Sequence, residues 1–581
     1  MKQTLAIILL IFTMSPVQAQ SSVSDTFMMP GERIYLHQNT TLLMSGEYLY
    51  YKLYCLNSET GSLSDMSKVA YVELVGKDGQ AVFSHKVRLT DGAGEGDFFV
   101  PTTVPSGNYK LVAFTQWMRN GQLEDFFQND MVVINPFQND QSGLIPSESD
   151  SISNAINQSI PRAETPQKNT DGFDLELSPQ SVGNRQKINL TVNDVAAEWH
   201  GDYSLSVRKI INELPLPQRE TSSAFAESLK SRSESIEITP GSGKVLPELR
   251  GELLTGTVVS NETGEKVANR KVALSIPGNN YLFKISSTGA NGTFFFNVDE
   301  SYLNQQALIQ VIGEDRDSFR IELEDFKSPD YSNLTFSDFV LDENMEKLIL
   351  ERSVQNQIQN AYAESRIDSI RRVEDFPPFF QTPTHEYNLD DYTRFPTIKE
   401  TIIEVIEQAS TRQRKGKQFI HVRVYDDDVE TGLNSLLLID GLFIQDHNTV
   451  VEAKASKIKK ISVINQQYLY GSEVFEGIIS MESYEGDFIE SLPALKEKDT
   501  KLFRPELAKD YFDQDYRYPE RYKRIPDYRT QLVWEPQFKL DGSTKTLTFY
   551  TSDVKGSYEV VLEGFNEQGK PLSLRKFIEV K

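Results

Sequence analysis

Short runs of β-branched and aromatic residues, alternating with polar residues, recur along most of this chain. From Arg33 to Pro136 the runs are separated by turn signals, namely Lys77-Asp78-Gly79, Asp91-Gly92 and Pro105-Ser106-Gly107-Asn108. Period-two alternation indicates half-buried strands, and short strands between close turns are typical of an antiparallel sandwich. We therefore predict a β domain over residues 20–137.

Residues 138–172 interrupt this pattern, because Ser, Asn, Gln, Asp and Pro dominate them. Such a composition cannot bury enough apolar surface for a core, so it predicts a linker. Alternation returns over residues 173–249 and predicts a second sandwich, in which the Ser- and Glu-rich stretch Thr221–Glu237 is a loop. Its alternating runs are Phe173–Leu177, Lys187–Val192 and Tyr203–Val207.

Strands resume in a third predicted β domain, residues 250–340. It contains the strings Gly256-Thr257-Val258-Val259, Thr263-Gly264-Glu265, Val272-Ala273-Leu274 and Gly289-Ala290-Asn291-Gly292-Thr293-Phe294. These strings resemble a carboxypeptidase regulatory-like domain, a family of prealbumin-like sandwiches that carry no active site.

The periodicity changes in residues 341–415, which we interpret as a helical and Pro/aromatic connector. Between Asp342 and Ala363, Gly and Pro are absent, Asp342 is placed to cap a helix, and apolar residues fall at helical spacings. These residues are Met345, Leu348, Ile349, Ile358 and Tyr362. Ile398–Gln408 also predicts a helix, and the stretch before it, residues 375–396, is rich in Pro, Phe and Tyr.

Residues 416–487 contain strand-forming runs. The continuous apolar run Leu436–Ile439, bounded by turn residues, predicts a buried strand. The segment contains the strings Leu438-Ile439-Asp440-Gly441, Ile458–Ile464, Tyr470-Gly471 and Gly477–Met481. These strings resemble the plug domain of TonB-dependent outer-membrane receptors. Such a receptor needs a long series of barrel strands after its plug, and the remaining residues are too few for one. We therefore expect a plug-like unit without a barrel of its own.

The last segment, residues 488–581, predicts a C-terminal sandwich with strands at Leu547–Tyr550, Tyr558–Leu562 and Phe577–Val580. Tyr528–Pro536 resembles the closing sandwich of exported Bacteroidota proteins and, distantly, the later domains of alpha-macroglobulins. The first domain contains the strings Gly92–Phe99, Pro105–Leu111 and Phe114–Asn120. These strings resemble the macroglobulin-type β domains of such exported proteins, which act as interaction modules.

The single cysteine, Cys55, adds two expectations. It follows Leu49, Tyr51 and Leu53 at every second position, so its thiol should lie on the buried face of a strand. A macroglobulin thioester needs a Cys near a Glu-Gln pair, and Cys55 has no such neighbours. Covalent trapping of a protease is therefore not expected.

The N-terminus predicts export. A charged start, an apolar run from Leu5 to Phe12, Pro16 and the small residue Ala19 match a secretory signal over residues 1–19. The apolar run is shorter than the ~20 residues that span a bilayer as a helix, and no later run is longer. We therefore expect an exported protein of the periplasm or outer membrane, without a transmembrane helix of its own.

The charge balance narrows the class of partner. The chain has 60 Lys and Arg against 84 Asp and Glu, a net charge of −24, which disfavours nucleic acid and other polyanions. Two local basic groups are interpreted as solvated faces rather than as docking patches for an acidic partner. They comprise Arg412, Arg414, Lys415 and Lys417, and Lys454, Lys457, Lys459 and Lys460.

Signals for catalysis, cofactors or metals are weak. No GxSxG string occurs, although scattered Ser, His and Asp could still converge in the fold. Gly241-Ser242-Gly243-Lys244 lacks the leading Gly and the following Ser or Thr of a phosphate loop, so it is interpreted as a turn. The histidines are single and Asp426-Asp427-Asp428 has no EF-hand context. We predict no catalytic, cofactor-binding or metal-ligating residues.

Together these observations predict a mainly β protein of tandem immunoglobulin- or macroglobulin-like sandwiches, with a small α/β plug-like domain and connecting helices. The function we expect is that of a non-catalytic envelope scaffold that binds outer-membrane or periplasmic proteins, including β-barrels. The alternative is a glycan-binding or glycan-processing surface protein, because rings in the aromatic stretch could stack on sugars. These rings are Phe376, Phe379, Phe380, Tyr387 and Tyr392. The competing interpretation of this stretch is aromatic packing between domains.

Overall fold

The computed structural model describes residues 26–145, 175–193, 196–211, 214–231, 235–239, 243–278, 280–373, 375–414, 416–424, 432–496 and 499–581. Within these ranges the protein is mainly β, and its strands form small sheets that pack as tandem sandwiches with connecting helices. This confirms the predicted fold class. The predicted signal, residues 1–19, lies outside the described residues, as does most of the predicted linker.

The first sandwich is built from strands of residues 32–134. The strands up to residue 134 are β1 (Phe27–Pro30), β2 (Glu32–Gln38), β3 (Leu42–Met44), β4 (Tyr48–Asn57), β5 (Val69–Gly76), β6 (Ala81–Arg88), β7 (Ala93–Phe99), β8 (Gly107–Phe114) and β9 (Phe127–Ile134). One sheet has the order β2-β4-β7 and the other β3-β9-β8-β5-β6, whereas β1 belongs to neither and pairs with Ser235–Ile238. Leu49, Tyr51, Leu53 and Cys55 of β4 all face the core, so the prediction of a buried thiol is confirmed.

A helix occupies part of the stretch that the sequence predicts as a loop. The elements here are β10 (Leu175–Ser178), β11 (Ser181–Val182), β12 (Lys187–Val192), β13 (Gly201–Lys209), α1 (Ser222–Lys230) and β14 (Ser235–Ile238). The Thr221 hydroxyl caps α1 by accepting the Ala224 N–H. Phe225 and Leu229, one turn apart, join a buried cluster with Tyr35 and Phe565. Tertiary packing therefore stabilises a helix that its polar composition conceals.

The third sandwich has strands where residues 253–259, 271–276 and 292–298 predict them. Its strands are β15 (Glu252–Ser260), β16 (Lys271–Ile276), β17 (Leu282–Ser287), β18 (Thr293–Val298), β19 (Gln306–Val311) and β20 (Phe319–Leu323). The residues after β20 pack on the first sandwich instead. The ring of Phe326 stacks on that of Tyr71 with 4.7 Å between their centroids, and Tyr331 lies in the core of the first sandwich.

The predicted connector contains the helix α2 (Glu346–Ala361) and the short strand β21 (Ser369–Ile370). The predicted helix is confirmed, but Asp342 caps the 3-10 turn Glu343–Met345 that leads into α2, where its carboxylate accepts the N–H of Asn344, and the N-cap residue of α2 itself, Met345, makes no side-chain cap. Apolar residues of its first turns, Leu348 and Ile349, pack beside the first sandwich.

The plug-like segment belongs to an α/β unit that begins earlier than predicted. Its strands are β22 (His385–Asn388), β23 (Ala409–Arg414), β24 (Lys417–Val422), β25 (Leu436–Ile439), β26 (Leu442–Phe443), β27 (Ile458–Tyr470) and β28 (Glu473–Ser483), and its helices are α3 (Ile398–Val405), α4 (Asn448–Val451) and α5 (Pro493–Lys496). The main sheet has the order β22-β27-β28-β25-β26. β25 is buried as predicted, and Ile398 and Ile402 of α3 complete the core.

The C-terminal elements return to units already described. They are β29 (Asp499–Lys501), β30 (Lys509–Asp510), α6 (Pro519–Tyr522), β31 (Gln531–Leu540), β32 (Lys545–Tyr550), β33 (Gly556–Phe565) and β34 (Pro571–Val580). β29 adds to the third sandwich beside β19, and β30 pairs with β21 of the connector.

The strands β31 to β34 join β10 to β13 in one composite sandwich, where the sequence predicts two. Its sheets have the orders β10-β12-β32 and β11-β34-β33-β13-β31. Ile188 lies opposite Phe549 in one sheet, and Val207 lies opposite Val560 in the other. Local alternation shows which face of a strand is buried but not which strand is its partner, so it cannot show pairing between such distant segments.

Candidate binding cleft between the sandwiches

A cavity of about 1100 Å³ opens where the first, third and composite sandwiches meet, and we call it the interdomain cleft. Strands of the first sandwich form one wall, and β13, β31 and the loop after β33 form another. The lining residues used below are Lys52, Arg88, Glu95, Asp202, Glu300, Ser301, Tyr302 and Arg371. The cleft therefore exists only when separate units of the chain assemble.

An ion pair joins the first sandwich to the composite sandwich at the cleft wall. The Lys52 ammonium lies 3.0 Å from the Asp202 carboxylate and also donates to the Asp202 carbonyl at 3.1 Å. Burial lowers the pKa of Lys52, and the charge of Asp202 partly offsets this effect. A buried ammonium with these partners is a structural cation, because its charge is matched and its protons have acceptors.

A second ion pair ties the connector to β7. The Arg371 guanidinium lies 3.3 Å from Glu95 and 3.0 Å from Asp510. Burial raises the pKa of Glu95, and the nearby Arg371 opposes that shift. This pair holds the connector against the edge of the first sandwich.

Main-chain and side-chain contacts at the cleft join the third sandwich to the first sandwich. Arg88 donates to the Asp299 carbonyl at 2.6 Å and to the Glu300 carbonyl at 2.7 Å. Deeper in the wall, Glu252 pairs with Lys86 at 2.6 Å and accepts from Tyr302 at 2.7 Å. Contacts of this kind fix the walls and leave both signs of charge at the surface of the cleft.

Charged side chains that line the cleft are engaged in ion pairs, Lys52 with Asp202 and Arg371 with Glu95. Because these charges are paired with one another, their pKa shifts have structural causes. Within the described residues, no lining serine or threonine is hydrogen-bonded to a histidine or a carboxylate. A nucleophile activated by a neighbouring base is the usual signature of covalent catalysis.

One serine and one histidine do converge, but in the core. The Ser204 hydroxyl lies 2.7 Å from Nδ1 of His37, and it also bonds the Glu563 carbonyl at 3.1 Å. Both side chains are buried, and burial lowers the pKa of His37 well below its usual range. The adjoining cavity measures about 10 Å³, which leaves no room for a substrate. The pair therefore joins the first sandwich to the composite sandwich.

The other chemical signals of the sequence gain no support. The described residues hold no group of three or more His, Cys, Asp or Glu side chains suited to a metal ion. Asp426, Asp427 and Asp428 lie outside the described residues, as do two residues of the string that resembles a phosphate loop. Residues 245–248, which follow that string, form no helix, whereas a phosphate loop leads into one.

The aromatic stretch of the connector is engaged in packing between units, as the competing interpretation predicts. Phe379 lies 5.5 Å from Phe283 of the third sandwich and 4.2 Å from Tyr470 of the α/β unit. Phe380 is buried in the same cluster, and Phe376 packs on the core of the third sandwich. Tyr387 is buried in the α/β unit, whereas Tyr392 is exposed.

Several of the basic residues are paired locally, in keeping with a solvated face. Lys460 contacts Glu482 at 2.8 Å and Glu386 at 3.4 Å. Lys417 lies 3.8 Å from Asp446, and Lys457 donates to Ser491 at 2.6 Å. Their positive charge is therefore partly neutralised within the α/β unit.

Comparisons with known proteins assign no family. No protein-family model and no curated protein matches this chain. Among solved structures, Salmonella alpha-2-macroglobulin reacted with methylamine is 8% identical, with 96% of this chain and 40% of that chain covered and a TM-score of 0.23. Escherichia coli alpha-2-macroglobulin activated by porcine elastase is 10% identical, with 95% of this chain and 44% of that chain covered and a TM-score of 0.24. Dimeric latent PorU from Porphyromonas gingivalis is 12% identical, with 51% of this chain and 33% of that chain covered and a TM-score of 0.15.

The chain thus spans less than half the length of these proteins. At these identities and TM-scores the likeness transfers neither a family nor an activity. The helices that the structure describes are too short or too polar to cross a bilayer.

No feature of the sequence indicated the cleft. Lys52, Glu95, Asp202 and Arg371 are far apart in the chain, and each is an ordinary charged residue of a strand or loop. Two are buried opposite an ion-pair partner, a property that depends on how the units assemble. A charge on the apolar face of a strand could have marked such a position, but Lys52 lies on the face that alternation assigns to solvent.

Proposed function

We propose that this protein is a non-catalytic scaffold or accessory protein of a bacterial envelope, and that it binds outer-membrane proteins of transport, assembly or secretion machinery. The predicted export signal supports that compartment. The resemblance of residues 416–487 to a receptor plug points to barrel proteins as partners. Binding would use the interdomain cleft and exposed loops, which commonly carry interactions in β proteins.

The observation that carries this proposal is the construction of the cleft. Three sandwiches and the connector build its walls, and Lys52, Glu95 and Arg371 are already paired there. Such a surface offers both signs of charge to a partner without presenting an activated nucleophile. Cavities between domains are also a common location of binding sites.

Site-specific photo-crosslinking in cells tests the proposal. A photoreactive amino acid is placed at three exposed cleft positions, Asp91, Arg372 and Glu567, and at Glu262 as a control. Glu262 is exposed in a turn of the third sandwich and does not line the cleft. We expect adducts with outer-membrane proteins at the cleft positions and not at the control, identified by mass spectrometry.

Two results would overturn the proposal. The first is the absence of specific adducts at all three cleft positions in protein that is folded and exported. The second is turnover of a substrate that stops when one polar side chain is removed while the fold is kept. Adducts with soluble proteins alone would retain the binding role but refute the choice of outer-membrane partners.

A further inference from the structure

A buried ion pair crosses the boundary between the first and third sandwiches. Lys86 of β6 contributes the ammonium group and Glu252 of β15 the carboxylate, with Nζ 2.6 Å from Oε1. The Lys86 side chain is 6% exposed and the Glu252 side chain is 0% exposed. Removing two charges from water is costly even when they attract each other. A reaction that turned the pair into an uncharged group would therefore remove that cost.

The second oxygen of the Glu252 carboxylate has a partner of its own. The Tyr302 hydroxyl donates to Oε2 at 2.7 Å, and Tyr302 is itself buried. The carboxyl carbon, Cδ, thus lies between one oxygen that faces the ammonium group and another that faces a hydrogen-bond donor. A donor in this place stabilises the negative charge that develops on a carbonyl oxygen under nucleophilic attack.

The surroundings of the pair are aromatic and include a second carboxyl group. The ring centroid of Phe503 lies 4.8 Å from the Lys86 nitrogen, and Phe326 packs on Phe503 with 5.2 Å between centroids. Burial raises the pKa of Glu248 to about 7, while the charge of Lys86 opposes this shift and the charge of Glu252 adds to it. Glu248 can therefore carry a proton near neutral pH, beside a site from which water is excluded.

We propose that Lys86 and Glu252 condense to an isopeptide bond, which links the first sandwich covalently to the third. A proton passes from Nζ to Oε1, the resulting amine attacks Cδ, and the bond between Cδ and Oε1 breaks. Oε1 leaves with two hydrogens as water, and one hydrogen stays on the amide nitrogen. Oε2 becomes the amide carbonyl oxygen, which the Tyr302 hydroxyl still binds. Ammonium and carboxylate give amide and water, so the reaction balances without an oxidant, a reductant or a cofactor.

The fold favours the condensation in two ways. The reacting groups are held in contact within one chain, so the reaction avoids the entropy loss of bringing two separate molecules together. The product is uncharged, so its burial no longer carries the cost of two buried ions. Such a bond also gives the chain a covalent link that disulfides cannot supply, because Cys55 is its only cysteine. It forms once within the chain and involves no turnover, which is compatible with a binding role.

Mass spectrometry of the full chain tests the proposal. A protease digest of the denatured protein should contain a branched peptide that joins the segments of Lys86 and Glu252, with the mass of the two peptides less one water. The intact chain should be one water lighter than the Lys86→Gln variant, because Lys and Gln residues have nearly equal masses and Gln lacks the nucleophile. The control pair, Lys284 with Asp299, has the same separation of 2.6 Å but side chains 23% and 58% exposed, and it should stay unjoined.

The rate of joining tests the role of Tyr302. Tyr302→Phe removes the hydroxyl and keeps both reacting groups, so in a time course after synthesis the bond should form about tenfold or more slowly. Tyr331→Phe is the matched control, because it also removes a buried hydroxyl that donates to a carboxylate, that of Glu73, and it should leave the rate unchanged. Both variants lose a buried hydrogen bond, so a difference in rate between them reports the chemistry rather than the lost contact.

Three outcomes overturn the proposal: no branched peptide in the folded, unaltered protein, equal rates of joining in Tyr302→Phe and Tyr331→Phe, or equal joining of the exposed control pair. The first and the third need no variant and so do not depend on how any substitution folds. Each leaves the proposed envelope function intact, because that function is tested by adducts at other residues.

Discussion

Replacement of Glu248 by Gln should stabilise the protein at pH 8 and have little effect at pH 5. Glu248 is 5% exposed, and its carboxyl group accepts from the Tyr71 hydroxyl and from the Leu253 N–H, each at 3.1 Å. Burial raises the pKa of Glu248 from 4.5 to about 7, while the Leu253 N–H and the charge of Lys86 oppose that shift. The glutamine side chain has the same shape and carries no charge at either pH.

The sign follows from proton linkage. The folded state binds the Glu248 proton more tightly than the unfolded state does, because the folded pKa is the higher one. Its contribution to stability is therefore fully present below about pH 4.5, is lost as the pH rises toward about 7, and changes no further above that value. A difference of 2.5 pKa units corresponds to roughly 3 kcal/mol, an upper value for the gain of Glu248→Gln at pH 8. At pH 5 the same reasoning gives a gain below about 1 kcal/mol.

A chain of several units does not unfold in one step, so the assay must be local. We would measure amide hydrogen exchange by mass spectrometry in β5, which contains Tyr71, and in residues 249–256. Variant and unaltered protein are compared at the same pH, which cancels the intrinsic pH dependence of exchange. Glu227→Gln, at an exposed position of α1, is the matched control and should change nothing. Equal protection of the two proteins at pH 8, or a gain of the same size at pH 5, would refute the reasoning.

Three further substitutions have defined outcomes. Gly441→Ala should destabilise the α/β unit by about 2–4 kcal/mol, because Gly441 has a φ of +81° and an added Cβ would lie 2.2 Å from Tyr281. Limited proteolysis would detect this loss of stability. The control is Gly264→Ala, at a position with a φ of +72° and open space around it, which should cost only the backbone strain. Ser204→Ala should lower the unfolding free energy by about 1–2 kcal/mol and leave the crosslinked adducts unchanged, whereas loss of function without loss of stability would indicate a catalytic role. Phe225→Ala should lower the unfolding free energy by about 2–4 kcal/mol and remove the protection of α1 from hydrogen exchange. Retained protection would show that the packing of Phe225 does not stabilise this helix.

The sequence predicted well those features that depend on neighbouring residues. Alternation in β4 placed Cys55 on the buried face, helical spacing located α2, and turn residues located the bend at Asp440-Gly441. Each of these follows from chain geometry over a few residues. The predicted signal and residues 146–172 of the predicted linker lie outside the described residues, so those expectations stay predictions, whereas Leu144 of the predicted linker is buried in a core cluster.

Features that depend on distant residues could not be predicted. α1 has a polar composition, and its stability comes from Phe225 packing against Tyr35 and Phe565, residues from opposite ends of the chain. The same limit applies to the composite sandwich and to the interdomain cleft, whose walls require knowledge of which strands become neighbours.

The order in which the chain contributes strands to its units also affects the proposed scaffold function. β29 completes a sheet of the third sandwich, and β30 pairs with β21, although both strands follow the α/β unit in sequence. The α/β unit is therefore inserted between segments that belong to other units. Its buried contact with the third sandwich includes Phe283, Phe443 and Ile478, which excision would expose to water. We therefore expect the isolated segment 416–487 to aggregate, and partner binding to require the assembled chain, because the interdomain cleft is built from residues that only assembly brings together.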